Sequence, residues 1–220
     1  MDPFYIIMTK SEHTAKKINK LLETWSKDRA KLVVAIDAYA GAGKTTIADI
    51  IAKQNNDVVL INLDDFIDSW RNRKNKIVKT KNKPAVFEYG WYRYAEVEKI
   101  IKIFKSKNSK IIKTKVYNYD KNDFSLTKNF DLTKKILLIE GIFLFQSKNI
   151  ISKFIDKKIY LAADFIKADK RRISREKKRW GKNYLDENQP DNLTKYFKVA
   201  YKKYIKRYKL EKLSDLVINV

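Results

Sequence analysis

The chain of 220 residues contains no cysteine and a single histidine, His13. Without thiols, neither a disulfide framework nor a thiolate metal site can form. One histidine, far in sequence from the other polar clusters, also leaves no Ser–His–Asp triad and no histidine-based metal set. Hydrolysis by a nucleophilic triad is therefore excluded, and we expect His13 to be an ordinary surface residue.

Long apolar runs are missing as well. No segment reaches the length that crosses a membrane, and residues 4–8 are too short for the apolar region of a signal peptide. We therefore expect a cytoplasmic protein with no membrane partner. The length suits one domain with a sizeable core, spanning residues 1–220.

Acidic residues are scarce relative to basic ones, and the formal net charge is +23. Such a charge suits nucleic-acid binding, but 40 of the 49 basic residues are lysines spread along the chain. Only residues 71–83 form a dense basic run without an acid. We expect this run to be a mobile, solvated loop, with an anion-steering role as the alternative.

Residues 33–47 carry the strongest local signal. They contain an apolar strand, a loop of small residues and the start of a helix, the order of parts that cradles a polyphosphate. Lys44 would reach the β- and γ-phosphates, and the Thr45 hydroxyl would ligate Mg²⁺. One departure is visible, because Ala38 occupies the first glycine position of the G-x-x-x-x-G-K-[ST] pattern. The predicted nucleotide-binding residues are Gly41, Ala42, Gly43, Lys44, Thr45 and Thr46.

Apolar strands alternate with amphipathic helices along the rest of the chain. The predicted strands are 32–36, 57–61, 111–116, 135–139, 158–162 and 216–218. The predicted helices are 11–30, 44–54, 91–105, 165–180 and 191–208, the first capped by Ser11. Strands that are apolar throughout favour a parallel sheet covered on both faces, so we predict an α/β fold. The aromatic stripe of the last helix is expected to be core.

Acidic residues follow two of the predicted strands. Asp64 and Asp65 come after the second strand, and Glu140 comes directly after the apolar run 136–139. Ligands of open α/β sheets lie beyond the carboxyl ends of the strands, where the phosphate loop also lies. A phosphate cradle, a carboxylate for Mg²⁺ and a carboxylate for the attacking hydroxyl are what phosphoryl transfer needs.

Four of the nine arginines fall within residues 171–179. Arg172, Arg175 and Arg179 are spaced so that one helix face presents all three, and a guanidinium suits phosphate oxygens. We predict a lid over residues 166–189, with Trp180 and Gly181 as its hinge or stop. The alternative is a solvated basic helix.

These motifs resemble the uridine kinase branch of small-molecule P-loop kinases. The resemblance runs from about residue 31 to the C-terminus and rests on the phosphate loop, on Leu63–Phe66, on residues 139–143, on the arginine-rich segment 172–181 and on residues 213–218. It implies a three-layer fold with a mainly parallel sheet, an arginine-rich lid and a small β-hairpin over the acceptor site. The core would be residues 31–165 and 190–220.

The resemblance also implies roles for individual residues. Asp64 would be the catalytic base, with Lys44, Arg175 and Arg179 acting on the phosphates. Thr45, Glu140 and Asp64 would organise Mg²⁺. The residues expected near the acceptor are Asp65, Tyr119, Asp120, Glu88 and Arg172.

The acceptor is the least defined part of this prediction. Uridine–cytidine kinases place a histidine and an arginine shortly after Tyr-Asp, but residues 121–128 contain neither. Gly90 stands where the family usually has an aspartate, and Glu88 is the candidate substitute. We predict an ATP- or GTP-dependent kinase acting on a small, nucleoside-like acceptor. The alternatives are a kinase for another acceptor such as pantothenate or a sugar phosphate, a nucleotide-dependent nucleic-acid-binding protein, and a nucleotide-binding regulator without turnover; the chain could also form a homo-oligomer.

Overall fold

The computed structural model describes residues 8–189 and 192–220, and its central feature is a five-stranded parallel sheet. The strands of both sheets are β1 (Leu32–Ala38), β2 (Val58–Asn62), β3 (Ile111–Asn118), β4 (Asp123–Asp131), β5 (Ile136–Gly141), β6 (Lys157–Ala162) and β7 (Leu216–Asn219). In the central sheet the order is β2-β5-β1-β6-β7, with every neighbouring pair parallel. The predicted α/β class is confirmed.

Helices cover both faces of this sheet. The helices are α1 (Lys10–Ser26), α2 (Lys44–Gln54), α3 (Trp70–Lys79), α4 (Lys83–Ala85), α5 (Tyr94–Lys105), α6 (Phe165–Trp180), α7 (Thr194–Tyr208) and α8 (Leu210–Leu213). Strand β1 is buried throughout because its side chains alternate between two cores: Val33 and Ala35 face α5 and α7, while Val34 and Ile36 face α1 and α2. This arrangement gives three layers.

Strands β3 and β4 form a separate antiparallel hairpin. The apolar run 111–116 is therefore a strand, as predicted, but it does not belong to the parallel sheet. Its residues alternate between exposed and half-buried, and Lys113 and Lys115 are among the exposed ones, so one side of the hairpin faces solvent. Asn122 adopts a φ of +55° at the chain reversal before β4, a conformation that asparagine tolerates.

Several helix ends differ from the prediction: α1 ends at Ser26 and not at residue 30, and α5 begins at Tyr94 and not at residue 91. Helix α1 is capped by Thr9 rather than Ser11: the Thr9 hydroxyl accepts from the Glu12 amide and the Glu12 carboxylate accepts from the Thr9 amide. This reciprocal pair satisfies two amides at once, which a cap at Ser11 would not do. Helix α7 begins at Thr194, and the predicted start at Asp191 lies outside the described residues.

The basic run is mostly helical, so the prediction of a mobile loop was wrong. Helix α3 covers residues 70–79, and the Ser69 hydroxyl caps it by accepting from the Asn72 amide at 3.2 Å. Arg73 and Ile77, one helical turn apart, are buried. A helix with only two buried positions among many exposed lysines has little apolar periodicity, which is why the pattern indicates a loop.

Within residues 8–189 and 192–220, no helix combines the length and apolar character needed to cross a membrane.

Candidate active site

The phosphate loop and the two acidic segments meet at one edge of the central sheet. Strand β5 lies between β1 and β2, and Glu140 of β5 is in register with Ile36 of β1 and Asn62 of β2. The three strands run in the same direction, so the segments that follow them emerge side by side. Asp64, two residues beyond Asn62, is thereby brought next to the loop that follows β1.

The loop between β1 and α2 has the backbone that a phosphate cradle requires. Gly41 and Gly43 have φ angles of +86° and +88°, and Gly43 caps the N-terminus of α2. A Cβ on Gly41 would lie 2.1 Å from the carbonyl oxygen of Ala168 in α6, so the loop packs directly beneath that helix. Ala38 does not have a positive φ and ends β1 as a buried residue, so its Cβ fits where the pattern has glycine.

Glu140 connects the loop to the sheet. Its Oε1 accepts a hydrogen bond from the Thr45 hydroxyl at 3.0 Å, and its Oε2 lies 3.8 Å from the Lys44 ammonium. The residue is 1% exposed, and burial raises the pKa of Glu140 to about 7; the charge of Lys44 opposes this rise and that of Asp64 adds to it. Glu140 Oε2 is buried without a hydrogen-bond partner among the described residues.

This orphaned oxygen fits a magnesium ion. In the described ranges no three His, Cys, Asp or Glu side chains cluster closely enough to hold a metal. Mg²⁺ is usually held through one or two carboxylates together with substrate phosphates and water, not by a protein cage. Thr45, Glu140 and Asp64 supply hard oxygen ligands of that kind, beside a loop suited to phosphates.

Asp64 lies in a short 3-10 turn, Leu63–Phe66, directly after β2. The Asn62 side chain caps this turn by accepting from the Asp64 amide at 2.9 Å. The Tyr92 hydroxyl donates to Asp64 Oδ1 at 3.2 Å, which orients the carboxylate. Gly141 allows the turn to pack against β5, since a Cβ there would lie 2.7 Å from the Cβ of Leu63.

The neighbouring acid, Asp65, points to a different part of the molecule. Both of its oxygens accept from the Lys128 ammonium of β4, at 2.7 and 2.8 Å. Burial raises the pKa of Asp65, while Lys128 opposes the rise. The pair ties the hairpin to the turn Leu63–Phe66. The contact of Asp65 with the acceptor stays a prediction.

A cavity of about 630 Å³ opens beside these groups, between the hairpin, α3, α6 and α7. Ala40 of the phosphate loop and Tyr92 line it, so the cavity reaches from the loop to the partner of Asp64. Its wall is unusually aromatic: it includes Trp70, Phe87, Trp91, Tyr92, Tyr117, Tyr119, Phe143, Trp180, Tyr184 and Phe197.

Four of the predicted site residues line this cavity and form no ion pair with another described residue. Tyr119 and Asp120 come from the hairpin, and Arg175 and Arg179 from α6. The Arg179 guanidinium lies 4.7 Å from the centre of the Tyr119 ring. Burial raises the pKa of Tyr119, Asp64 raises it further, and Arg179 and Arg73 oppose the rise, so these charged groups all act on one ring.

Arg172 also reaches the cavity wall, but its charge is already matched. Its three guanidinium nitrogens donate to Asp169, Glu176 and Glu187 at 2.8, 2.8 and 2.6 Å, and its side chain is 3% exposed. Asp169 also accepts from the Tyr39 hydroxyl beside the phosphate loop. The network joins α6, the segment after it and the loop, so Arg172 holds the predicted lid in place rather than presenting a free charge.

Glu88 does not lie where the resemblance implied. Its carboxylate accepts from Arg207 of α7 at 2.9 Å and is absent from the wall of the cavity, although the adjacent Phe87 lines it. Residues 86–90 form a π-helical turn, which rotates Glu88 inward to 3% exposure. The expectation that Glu88 replaces the aspartate missing at Gly90 is therefore corrected.

Sequence reasoning missed two residues of the site. Tyr92 follows the segment 87–91 that the motifs placed on the acceptor side, so its position was within reach of the pattern. Arg73 was hidden in the basic run, where nothing local distinguishes one buried cation from its exposed neighbours. Only packing against distant aromatic residues singles it out.

The fold and this site are those of a P-loop kinase. The model of the Phosphoribulokinase / Uridine kinase family matches residues 33–220, and the chain belongs to that family. Among curated protein sequences, none is significantly similar to the chain.

Solved structures of the same fold carry names that refer to different acceptors. The chain is similar to a possible uridine kinase from Bacillus stearothermophilus, with a TM-score of 0.68 and 18% identity over 96% of this chain and 100% of that one. It is also similar to D-glycerate 3-kinase from Cryptococcus neoformans, with a TM-score of 0.63 and 12% identity over 92% and 89%. It is similar to phosphoribulokinase from Rhodobacter spheroides as well, with a TM-score of 0.57 and 15% identity over 86% of this chain and 70% of that one. At these identities the likeness shows the fold alone.

Proposed function

We propose that this protein transfers the terminal phosphoryl group of ATP or GTP to a hydroxyl of a small, nucleoside-like metabolite. The observation that carries the proposal is the convergence of Lys44, Thr45, Glu140 and Asp64 at one sheet edge, beside a cavity large enough for an acceptor. A set of this kind supports phosphoryl transfer by positioning and charge stabilisation.

Each group has a distinct task. The backbone amides of residues 41–46 and the Lys44 ammonium bind the phosphates. Asp64, held by Tyr92, accepts the proton of the attacking hydroxyl. Arg175 and Arg179 lie on the lid helix and offset charge on the transferred group. Mg²⁺, held by Thr45, Glu140 and Asp64 with the phosphates, would neutralise phosphate charge.

The aromatic wall of the cavity supports a ring-bearing acceptor. Tyr119 and Tyr117, which both line the cavity, meet edge to face with ring centres 4.9 Å apart. Faces of this kind favour a planar base by stacking. This is the support for a nucleoside-like acceptor over an aliphatic one such as pantothenate.

The proposed chemistry is tested by Asp64→Asn, which keeps the shape of the side chain and removes the base. We expect kcat to fall by about 10²- to 10⁴-fold, whereas the affinity for nucleotide should fall far less, because Thr45, Glu140 and the phosphates would still hold Mg²⁺. The measurements are acceptor-dependent ADP release and nucleotide binding.

Asp57→Asn is the matched control, because Asp57 is exposed and precedes β2 at the opposite end of the strand. Full activity of Asp64→Asn would remove Asp64 from its role. Release of ADP that is stimulated by polynucleotide and by no small alcohol would instead favour the nucleic-acid-binding alternative.

A further inference from the structure

Arg73 is a buried cation without a counter-charge. The residue is 8% exposed, and no carboxylate in residues 8–189 or 192–220 forms an ion pair with it. The nearest candidate, Asp68, offers Arg73 only its backbone carbonyl, at 2.8 Å from Nε. The Asp68 carboxylate instead accepts from Lys76 and Asn72. Burying a charge is costly unless it is compensated, so this arrangement calls for a reason.

An aromatic box holds the Arg73 guanidinium in place. Its central carbon lies 4.5 Å from the ring centre of Trp91, 5.3 Å from that of Trp70 and 5.6 Å from that of Tyr117. Aromatic faces attract a cation without neutralising it. The box therefore orients the charge and leaves it able to attract an anion.

Arg73 also keeps hydrogen-bonding capacity. Nε donates to Asp68, and Nη2 donates to the Tyr117 hydroxyl at 3.2 Å; no other hydrogen bond of the guanidinium to a described residue is present. An arginine carries five N–H donors in a planar fork, which matches carboxylate and phosphate oxygens. Nη1 and the second hydrogen of Nη2 remain for a ligand.

The group lies in the wall of the proposed acceptor cavity. Arg73 and its three aromatic neighbours all line the 630 Å³ space. The other cations of the wall are Arg172, Arg175 and Arg179 of α6. Arg172 is already paired with carboxylates, and Arg175 and Arg179 suit the phosphates of the nucleotide. The acid that shares their helix face, Glu176, is paired with Arg172. On the acceptor side of the cavity, Arg73 is thus a cation in no ion pair with a described residue, and the acid Asp120 and the Arg179 guanidinium over Tyr119 lie in the same wall.

We infer that Arg73 binds an anionic group of the acceptor, a carboxylate or a phosphate, and so selects a negatively charged, ring-bearing alcohol over a neutral nucleoside. This inference rests on the proposed kinase function and narrows its substrate class. Arg73 acts in binding and orientation, and Asp64 remains the base.

The test compares acceptors that differ only in the anionic group. Orotidine and uridine differ by a carboxylate, and uridine 3′-monophosphate and uridine differ by a phosphate. Binding to the full chain with a non-hydrolysable nucleotide analogue is measured for each probe, and kcat/KM for each phosphorylated one. At least one anionic probe is expected to bind about ten- to a hundredfold more tightly than its neutral partner, and the pair that shows this distinguishes carboxylate from phosphate.

Arg73→Gln should abolish that preference: we expect the affinity for the anionic probe to fall, and the affinity for the neutral partner to change by less than about threefold. Arg73→Lys keeps the charge but not the fork, so it should restore only part of the preference. Lys74→Gln is the matched control: it removes one charge from an exposed neighbour on the same helix and should leave the preference intact. Nucleotide binding and thermal unfolding of each variant show that the fold is retained.

The ratio of anionic to neutral binding separates recognition from a structural role. If Arg73 only supports the hairpin, Arg73→Gln lowers the affinity for the anionic probe and for its neutral partner by the same factor, and the inference is overturned. Equal or tighter binding of every neutral partner by the wild-type protein overturns it too. In either case phosphoryl transfer that depends on Asp64 would leave the kinase proposal standing.

Discussion

At the scale of single residues, the site depends on hydrogen bonds that aim carboxylates. The Tyr92 hydroxyl donates to the Asp64 carboxylate across the site, and the Asp64 backbone amide donates to the Asn62 side chain, which holds the turn that carries the acid. The Glu140 carboxylate accepts one hydrogen bond from Thr45, and its second oxygen has no hydrogen-bond partner among the described residues. A carboxylate that must accept a proton or hold a metal works only in a restricted orientation, so its hydrogen-bond donors matter as much as the acid itself.

Tyr92→Phe tests this dependence. Removal of the hydroxyl frees one oxygen of Asp64 to rotate, and we expect kcat to fall about tenfold with little change in nucleotide affinity. Steady-state kinetics with saturating nucleotide measures the effect.

Tyr94→Phe provides a matched control, because Tyr94 is a buried neighbour whose hydroxyl has no described hydrogen-bond partner. Its kcat should stay within about twofold of the wild type. Equal turnover in the two variants would show that Tyr92 does not orient Asp64.

At the scale of elements, the active site is a set of close approaches between segments distant in sequence. The phosphate loop touches α6 at Gly41, and the turn Leu63–Phe66 touches β5 at Gly141. Lys198 of α7 joins Asp169 of α6 and Glu187 beyond it, both at 2.6 Å. These contacts hold the loop, the turn and the predicted lid in one arrangement.

Gly141→Ala should disturb the turn that carries Asp64. The added methyl would lie 2.7 Å from the Cβ of Leu63, and because the backbone of the turn fixes the position of that Cβ, no side-chain rotation relieves the contact. We expect the free energy of unfolding to fall by about 1–3 kcal/mol and kcat to fall at least about tenfold. Denaturant unfolding and kinetics measure the two effects.

Gly90→Ala is the corresponding control, since its Cβ would meet only the side chains of Lys76 at 3.4 Å and Val86 at 3.8 Å, both ordinary contacts. We expect its free energy of unfolding to change by less than about 1 kcal/mol. A Gly141→Ala protein as stable and active as this control would contradict the close approach described here.

At the scale of the whole molecule, the centre of the sheet contains a buried acid. Asp37 of β1 is fully buried, and its Oδ2 accepts from the Leu144 amide at 2.8 Å and from the Tyr204 hydroxyl at 2.6 Å. Burial raises the pKa of Asp37 to about 7 from an ordinary 3.8, while these hydrogen bonds and Lys44 oppose the rise. The residue joins β1, the segment after β5 and α7.

This pKa makes stability depend on pH. Between about pH 4 and pH 7 the folded protein keeps a proton on Asp37 that the unfolded chain has released. The contribution of this proton to the free energy of unfolding is therefore complete below about pH 4 and declines as the pH rises to about 7. Asn in the variant Asp37→Asn does not titrate, so the stability of the variant lacks this dependence on pH. Between pH 4 and 7 we therefore expect the stability of the variant to rise relative to the wild type by roughly 2–4 kcal/mol.

Urea unfolding at several pH values measures the difference, with the exposed Asp57→Asn as control. The control curve should run parallel to the wild-type curve. If the Asp37→Asn curve is parallel as well, the acid is not protonated in the folded protein near neutral pH.

The sequence by itself determined the parts of the site that depend on local order. A strand, a glycine loop and a helix are consecutive in the chain, and acids at Asp64 and Glu140 follow buried strands, so parallel pairing alone brings them together. The single-domain organisation and the roles of the site residues remain predictions.

The tertiary structure decided what the acceptor meets. Arg73 is one cation among many until Trp91 and Tyr117 enclose it. Glu88 is a candidate ligand until a π-helical turn buries it and Arg207, 119 positions away, pairs with it. The strand at 111–116 pairs with β4 and not with the sheet. Periodicity reports only the faces of one element, whereas the partner of a charge is chosen by contacts between elements far apart in the chain.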